Sequence, residues 1–208
     1  MAGATTAADA ATSLPSKAVP YGIYDIAGNA GWVNLGIRHD TAMFSVESIR
    51  RWWYELGTTR YPAATRLLIT ADCGGGNGVC LRLWKGEPQV LADELGILIA
   101  VCHSLPPAAR QQQMGPGRAR LFAFITQNWR GKPLVSHHVI IQLIANTASD
   151  TGLTVACRLD DTTYAKGIKV SDAEMAALNI QPADFHGAPN YLRSNTAGRV
   201  MQLSGPRP

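Results

Sequence analysis

The sequence predicts an α/β fold, a mixed sheet flanked by helices, and three observations predict it. Tyr21 to Ile37, "YGIYDIAGNAGWVNLGI", alternates apolar and small residues on either side of an Ala-Gly-Asn-Ala-Gly turn, as two strands joined in a hairpin do. Two short apolar runs, Leu67 to Ala71 and Ile97 to Cys102, have the length and composition of strands buried on both faces. Around them, apolar residues recur at spacings of three and four, the period of helices packed on a sheet.

The elements follow in order. After the hairpin, Asp40 stands where a helix N-cap belongs. Ala42, Val46, Ile49, Trp53 and Leu56 then recur at helical spacing, and Gly57 is the expected C-terminal stop. Val79 to Leu95 reads as the next helix, with Gly86 and Pro88 inside it expected to break or kink it. The Ile97 strand follows, then helices from about Leu121 to Trp129 and from about Ser136 to Thr147. Near the end, Ser171 and Glu174 in "GIKVSDAEMAAL" make a capping box before a short helix. Residues 1–19, rich in Ala, Thr and Ser, and residues 192–208 lack periodicity; the first stretch is expected to be disordered or a misassigned start and the second a disordered tail, leaving 20–191 as one domain.

The 208 residues, 46% hydrophobic and 16% charged, suffice for one ordinary core. A net charge of +4 and a pI near 9.0 permit an acidic partner such as nucleic acid without requiring one. Cys73, Cys80, Cys102 and Cys157 fall at no paired spacing and read as reduced thiols. The first twenty residues lack the basic start and apolar core of a secretion signal. No apolar run reaches the roughly 18 residues of a membrane span. A cytoplasmic protein with no membrane partner is the expectation.

One stretch, "LLITADCGGGNG" from Leu67 to Gly78, poses the question of function. A glycine loop after a strand can cradle phosphate, which would make the chain a nucleotide-binding protein using Gly74 to Gly78. That chemistry needs a Lys-Ser/Thr pair after the glycines, and Val79-Cys80 stands there instead. Alternatively, Asp72 itself is the functional group, held at the carboxyl end of a strand where such folds open a crevice. A lone strand-end Asp is also commonly just solvated, so this reading needs partners. Cys102, His103, His137 and His138 have no metal-ligand spacing, and no GxSxG nucleophile elbow occurs. Arg50 and Arg51 in "SIRRWWYELGTTRY" and Arg130 in "QNWRGK" lie among aromatics. They suit contact with phosphate, or equally a solvated polar face.

Several stretches in one order carry a resemblance: "YGIYDIAGNAGWVNLGIRHDTAMFSVESIRRWW", "RLLITADCGGGNG", "LADELGILIAVCH", "LFAFITQNWRGKPLVSHHVI", "GLTVACRLD", "GIKVSDAEMAALNI" and "FHGAPNY". Together, over Ala18 to Tyr191, they resemble the Rhodopirellula-type DDE transposases of bacterial insertion sequences. The resemblance implies a ribonuclease-H-like core in which three carboxylates hold two divalent ions, Mg2+ or Mn2+, for cutting and joining DNA. It implies DNA as partner, with a homo-oligomer also expected. Asp72 matches the second carboxylate, both as catalytic residue and as metal ligand. Gly74, Gly75, Gly76 and Asn77 would shape the loop beside it so that metal and DNA can approach, and His103 would end the neighbouring strand.

Two departures accompany the match. The first catalytic Asp of the family lies on a strand before the Ala18 region, so that strand is expected to be absent; Asp25 belongs to the hairpin and does not take its role. The third carboxylate belongs to a run like Ser-Lys-Trp-Asn-x-Ile-Glu-His, and the corresponding "SLPPAARQQQMGPGRARLF", Ser104 to Phe122, holds no Asp or Glu. Codons for Gln112 to Ala119 can be chosen so that a one-base shift reads Ser-Lys-Trp-Asp-Gln-Val-Glu, which points to a local frameshift and an aberrant loop over 104–120. The resulting expectation is a degenerate, catalytically dead transposase fragment. A non-catalytic DNA-binding or regulatory fragment is the alternative.

Overall fold

The computed structural model of the chain describes residues 17–38, 40–72, 75–78, 81–103, 116–183 and 190–194. They fall into two compact units, Met1–His39 with Pro116–Thr163, and Asp40–Gly115 with Tyr164–Pro208. Strands and helices both form, as expected of an α/β chain. Instead of one mixed sheet, the described strands make two, because pattern identifies strands but not the partners to which their N–H and C=O groups turn.

In the first unit, β1 (Val19–Asp25) and β2 (Ala30–Gly36) are the expected antiparallel hairpin. Asn29 closes its turn at φ 44, a backbone region that Asn tolerates better than most residues. The third strand, β5 (Thr154–Asp160), runs parallel to β2, with Ala30 opposite Thr154 and Gly36 opposite Asp160. Helices α4 (Pro116–Trp129) and α5 (His137–Ala145) cover this sheet. Leu121 and Ile125 on α4, and Ile140 and Ile144 on α5, are spaced one helical turn apart. They pack on Val33, Leu35, Val155 and Cys157. Pro116 to Arg120, read from the sequence as part of an aberrant loop, lie within α4; proline suits a first helical position, where its missing N–H has no partner to lose. Residues 104–115 of that loop lie outside the described residues.

The second unit begins with α1 (Ala42–Trp52). Its N-cap is Thr41, not Asp40: Thr41 Oγ1 accepts from Phe44 N at 3.2 Å. Gly57 is not a stop either. The helix widens into a π-helical turn, Trp53–Gly57, and continues through α2 (Thr58–Arg60). A Cβ on Gly57 would stand 2.7 Å from the Trp53 ring, so this glycine serves close packing inside a helix.

Next come β3 (Arg66–Ala71), α3 (Arg82–Leu95) and β4 (Leu98–His103), with β3 and β4 parallel. The short helix α6 (Asp172–Ala177) carries the expected Ser171–Glu174 capping box. Strands β6 (Ile180–Pro182) and β7 (Tyr191–Arg193) complete a sheet ordered β3-β4-β7-β6. Leu192 and Arg193, read from the sequence as the start of a disordered tail, pair with β4 in this sheet.

Two expectations fail here for tertiary reasons. β3 is not buried on both faces: it is an edge strand with alternating exposure, and Leu68 is 64% exposed. α3 runs unbroken through Gly86 and Pro88. A proline weakens the carbonyl ladder one turn before it. The carbonyl left without its backbone donor is that of Trp84, four residues before Pro88; Arg193 Nη2 donates to the next one, Lys85, and Gly96 at φ 66 supplies the left-handed C-cap.

Candidate functional site

Asp72 follows β3 directly, and the last residue of β3, Ala71, lies opposite His103, the last residue of β4. The carboxyl ends of two parallel strands thus bring a half-buried carboxylate and a buried imidazole to the same end of the sheet. This is where such sheets place their chemistry. The 75–77 residues form a single 3-10 turn over that end. Asn77 Nδ2 donates to Asp72 Oδ1 at 3.2 Å, and the Asn77 carbonyl lies 3.2 Å from His103 Nε2. A carbonyl oxygen can only accept, so His103 carries its proton on Nε2. The His103 backbone N–H in turn donates to Asn190 Oδ1 at 3.1 Å. The imidazole packs between Trp84, edge-on with centroids 6.3 Å apart, and Tyr191 at 6.1 Å. Burial pushes the Tyr191 phenol up to about 12, so it is a neutral wall at ordinary pH.

Gly76 packs closely against the start of α1. A Cβ on Gly76 would meet Ser45 Oγ at 2.3 Å and the Thr41 carbonyl oxygen at 2.5 Å, so this glycine lets the turn dock on the start of α1. Its N–H donates to Asp40 Oδ1 at 3.2 Å. A phosphate cradle needs loop amides facing an anion, and here Asp40 already takes one of them and would repel the phosphate. Gly75 lies in the same turn, whereas Gly74 lies outside the described residues.

Arg50 is held by Glu47 and by Glu94, the latter at 2.8 Å, and so is not the solvent-facing side chain the sequence suggested. Burial acts to lower its pKa, but hydrogen bonds and charge from the two glutamates outweigh it and leave the guanidinium above its ordinary value. Arg51 is half-buried with interactions of its own. Arg130 is exposed and belongs to the other compact unit. Asp25, at the end of β1, accepts from Gly28 N at 3.0 Å and fastens the hairpin turn.

A family model, the Rhodopirellula transposase DDE domain, matches residues 4–194 of the 208. The chain belongs to this family. It is therefore transposase-derived, from a family that acts on DNA and generally depends on divalent metal ions. Neither the curated proteins nor the solved structures contain a match. No helix among the described residues is long and apolar enough to cross a membrane.

The family's pair of divalent ions requires several oxygen ligands around each. Among the described residues no three His, Cys, Asp or Glu side chains group so as to hold a metal ion. One side-chain partner of Asp72, the Asn77 amide N–H, is a donor and cannot ligate. The described residues do not fit the two-ion arrangement. Sequence reasoning identified Asp72, Asn77 and His103 but missed Asp40 and Asn190 as the groups that tie the turn and the strand end in place. Asn190 stood in the "FHGAPNY" motif, which was the available signal.

Proposed function

We propose that this chain is a DDE-type catalytic-domain polypeptide that keeps Asp72 of the family's carboxylate set, lacks the third carboxylate, and does not cut or join DNA by itself. The observation that carries the reading is the pairing of a retained strand-end Asp72 with a 104–120 stretch devoid of Asp and Glu, where the resemblance calls for the third carboxylate. Metal-assisted phosphodiester attack needs ions clamped between carboxylates on both the attacking and leaving sides, and members of such a set act as a unit. A set without its third carboxylate cannot complete that clamp.

The test is nicking and end-joining of DNA carrying insertion-sequence ends, with Mg2+ or Mn2+, by the purified full chain and by Asp72→Asn. The two proteins should be indistinguishable and inactive. Cleavage that requires Asp72 would overturn the proposal.

A second reading, DNA binding without cleavage, is favoured by the exposed Arg130 and Lys132 in the turn after α4. It predicts affinity that falls steeply with salt, the log-affinity against log-salt slope steepening by about one unit per phosphate contacted, and that weakens in Arg130→Ala. Affinity independent of salt would remove it.

A further inference from the structure

We infer that the seam between α3 and β7 holds a small monovalent anion, of the chloride class, on the guanidinium of Arg193. The inference goes beyond the proposed function and does not depend on it. Tyr191 and Arg193 stand two residues apart on β7, so both side chains lie on one face of that strand, the face towards α3. Arg193 is fully buried and Tyr191 is 2% exposed. Nη2 of Arg193 donates to the Lys85 carbonyl, and the guanidinium lies over the Tyr191 ring, 4.9 Å from its centroid. Arg193 Nε and Nη1 meet no acceptor among the described residues, and the same holds for the Trp84 indole N–H and the Tyr191 hydroxyl, all of them buried. The Trp84 N–H stands beside the Tyr191 hydroxyl, close enough to ease its ionisation.

These unmatched groups share a chemistry. Arg193 and Trp84 can only donate, and the Tyr191 hydroxyl has a proton to give. Among the described residues, the unmatched acceptor of this seam is Gln89 Oε1 on α3; the Gln89 amide nitrogen is taken by Asp93 Oδ1 at 3.1 Å and the Ser194 carbonyl at 2.8 Å. A buried water that accepts from these donors must still place two protons of its own, and it leaves the positive charge as it was. An anion accepts from every donor around it and cancels that charge. Desolvation brings the guanidinium down only to about 10, so it is charged at neutral pH, and no carboxylate among the described residues offsets it. A buried charge of this kind is strongly unfavourable without a counter-ion. The ion is small, because no part of Arg193 reaches the surface, and one guanidinium matches one negative charge. A phosphodiester on a DNA strand cannot enter such a seam. The role this gives the ion is to fasten β7 to α3.

The experiment melts the full chain in sodium chloride and in sodium gluconate at matched ionic strength, gluconate being too large for the seam. Chloride that binds the folded state alone should raise the wild-type melting temperature by about 3 to 6 °C for each tenfold rise in concentration above its dissociation constant. Gluconate should give no such rise. Arg193→Met should melt above the wild type in gluconate, where the buried charge has no counter-ion, and should be indifferent to the choice of anion. A wild type that melts alike in the two salts at every concentration overturns the inference, and this reading needs no variant to fold. An equal chloride effect in Arg193→Met also overturns it, since the effect would then be one of salt in general. A crystal of the full chain grown with bromide locates the ion. An anomalous peak within hydrogen-bond distance of Arg193 Nε or Nη1 is expected, and an ordered seam without one overturns the inference. DNA cleavage plays no part in these readouts, so failure here leaves the proposed function standing, and Asp72-dependent cleavage would sink that function without touching the anion.

Discussion

Replacing Gly76 with alanine places a Cβ 2.3 Å from Ser45 Oγ and 2.5 Å from the Thr41 carbonyl oxygen. The first obstacle is a side chain, but the second is backbone at the N-cap of α1, which cannot move without uncapping the helix. Overpacking of this kind costs about 1 to 3 kcal/mol. If the turn moves to relieve it, the Gly76–Asp40 and Asn77–Asp72 hydrogen bonds go too, at about 1 kcal/mol each. With both contributions the expected loss is therefore about 3 to 5 kcal/mol. Urea unfolding of Gly76→Ala, Ser45→Ala and the double variant measures it. Removing the Ser45 hydroxyl leaves the Thr41 carbonyl in place, so the double variant should recover less than half of the loss. Stability of Gly76→Ala within about 0.5 kcal/mol of wild type, or full rescue by Ser45→Ala, would refute the claim that this glycine is required by backbone contact.

Other expectations follow from buried and paired groups. Burial pushes the Cys157 thiol from 9.0 up to about 12. The folded state thus holds its proton more tightly than the unfolded state, and the resulting stability is complete below about pH 9 and is lost as pH rises towards 12. Cys157 should resist thiol reagents at pH 8 until urea is added, and the stability gap between wild type and Cys157→Ala should narrow above pH 9. Arg50→Met removes a partly exposed ion pair with Glu47 and Glu94. It should cost no more than about 1 kcal/mol, and less at high salt, as read from melting curves at two salt concentrations. Arg193 is fully buried, and desolvation lowers its guanidinium to about 10. Its described contacts are the Lys85 carbonyl and the face of Tyr191, with no carboxylate among them. Arg193→Met should therefore raise the melting temperature; a clear fall would mean that the bond to α3 outweighs the burial of charge.

Local chemistry made the hairpin, the α6 capping box and the apolar strands legible, because each depends on residues close in sequence. The failures were tertiary. Pro88 argues for a broken helix, yet α3 runs through it from Arg82 to Leu95. Gly57 reads as a stop only until the Trp53 ring is seen packed on it. β5 pairs with β2 across a long separation in the chain, and no periodicity announces a parallel partner. Leu67 to Ala71 is apolar enough for a central strand, yet it forms an edge. At the site, Asp72 was visible as a carboxylate ending a strand before glycines. The chain of contacts from Asn190 through His103 and Asn77 joins residues far apart in sequence, so no spacing could reveal it. The resemblance supplied what pattern could not, and the family match over residues 4–194 bears it out.

The central claim, a DDE-type domain whose third carboxylate was lost with the 104–120 stretch, is tested most directly by the nucleotide sequence of the gene across the codons for Ser104 to Phe122, read in all three forward frames. The account predicts that a shifted frame restores Trp-x-x-(Ile/Val)-Glu-His immediately before the codons for Leu121. If no frame restores that run, the stretch without carboxylates is not a scar of a frameshift, and the account of how this site lost its chemistry is contradicted.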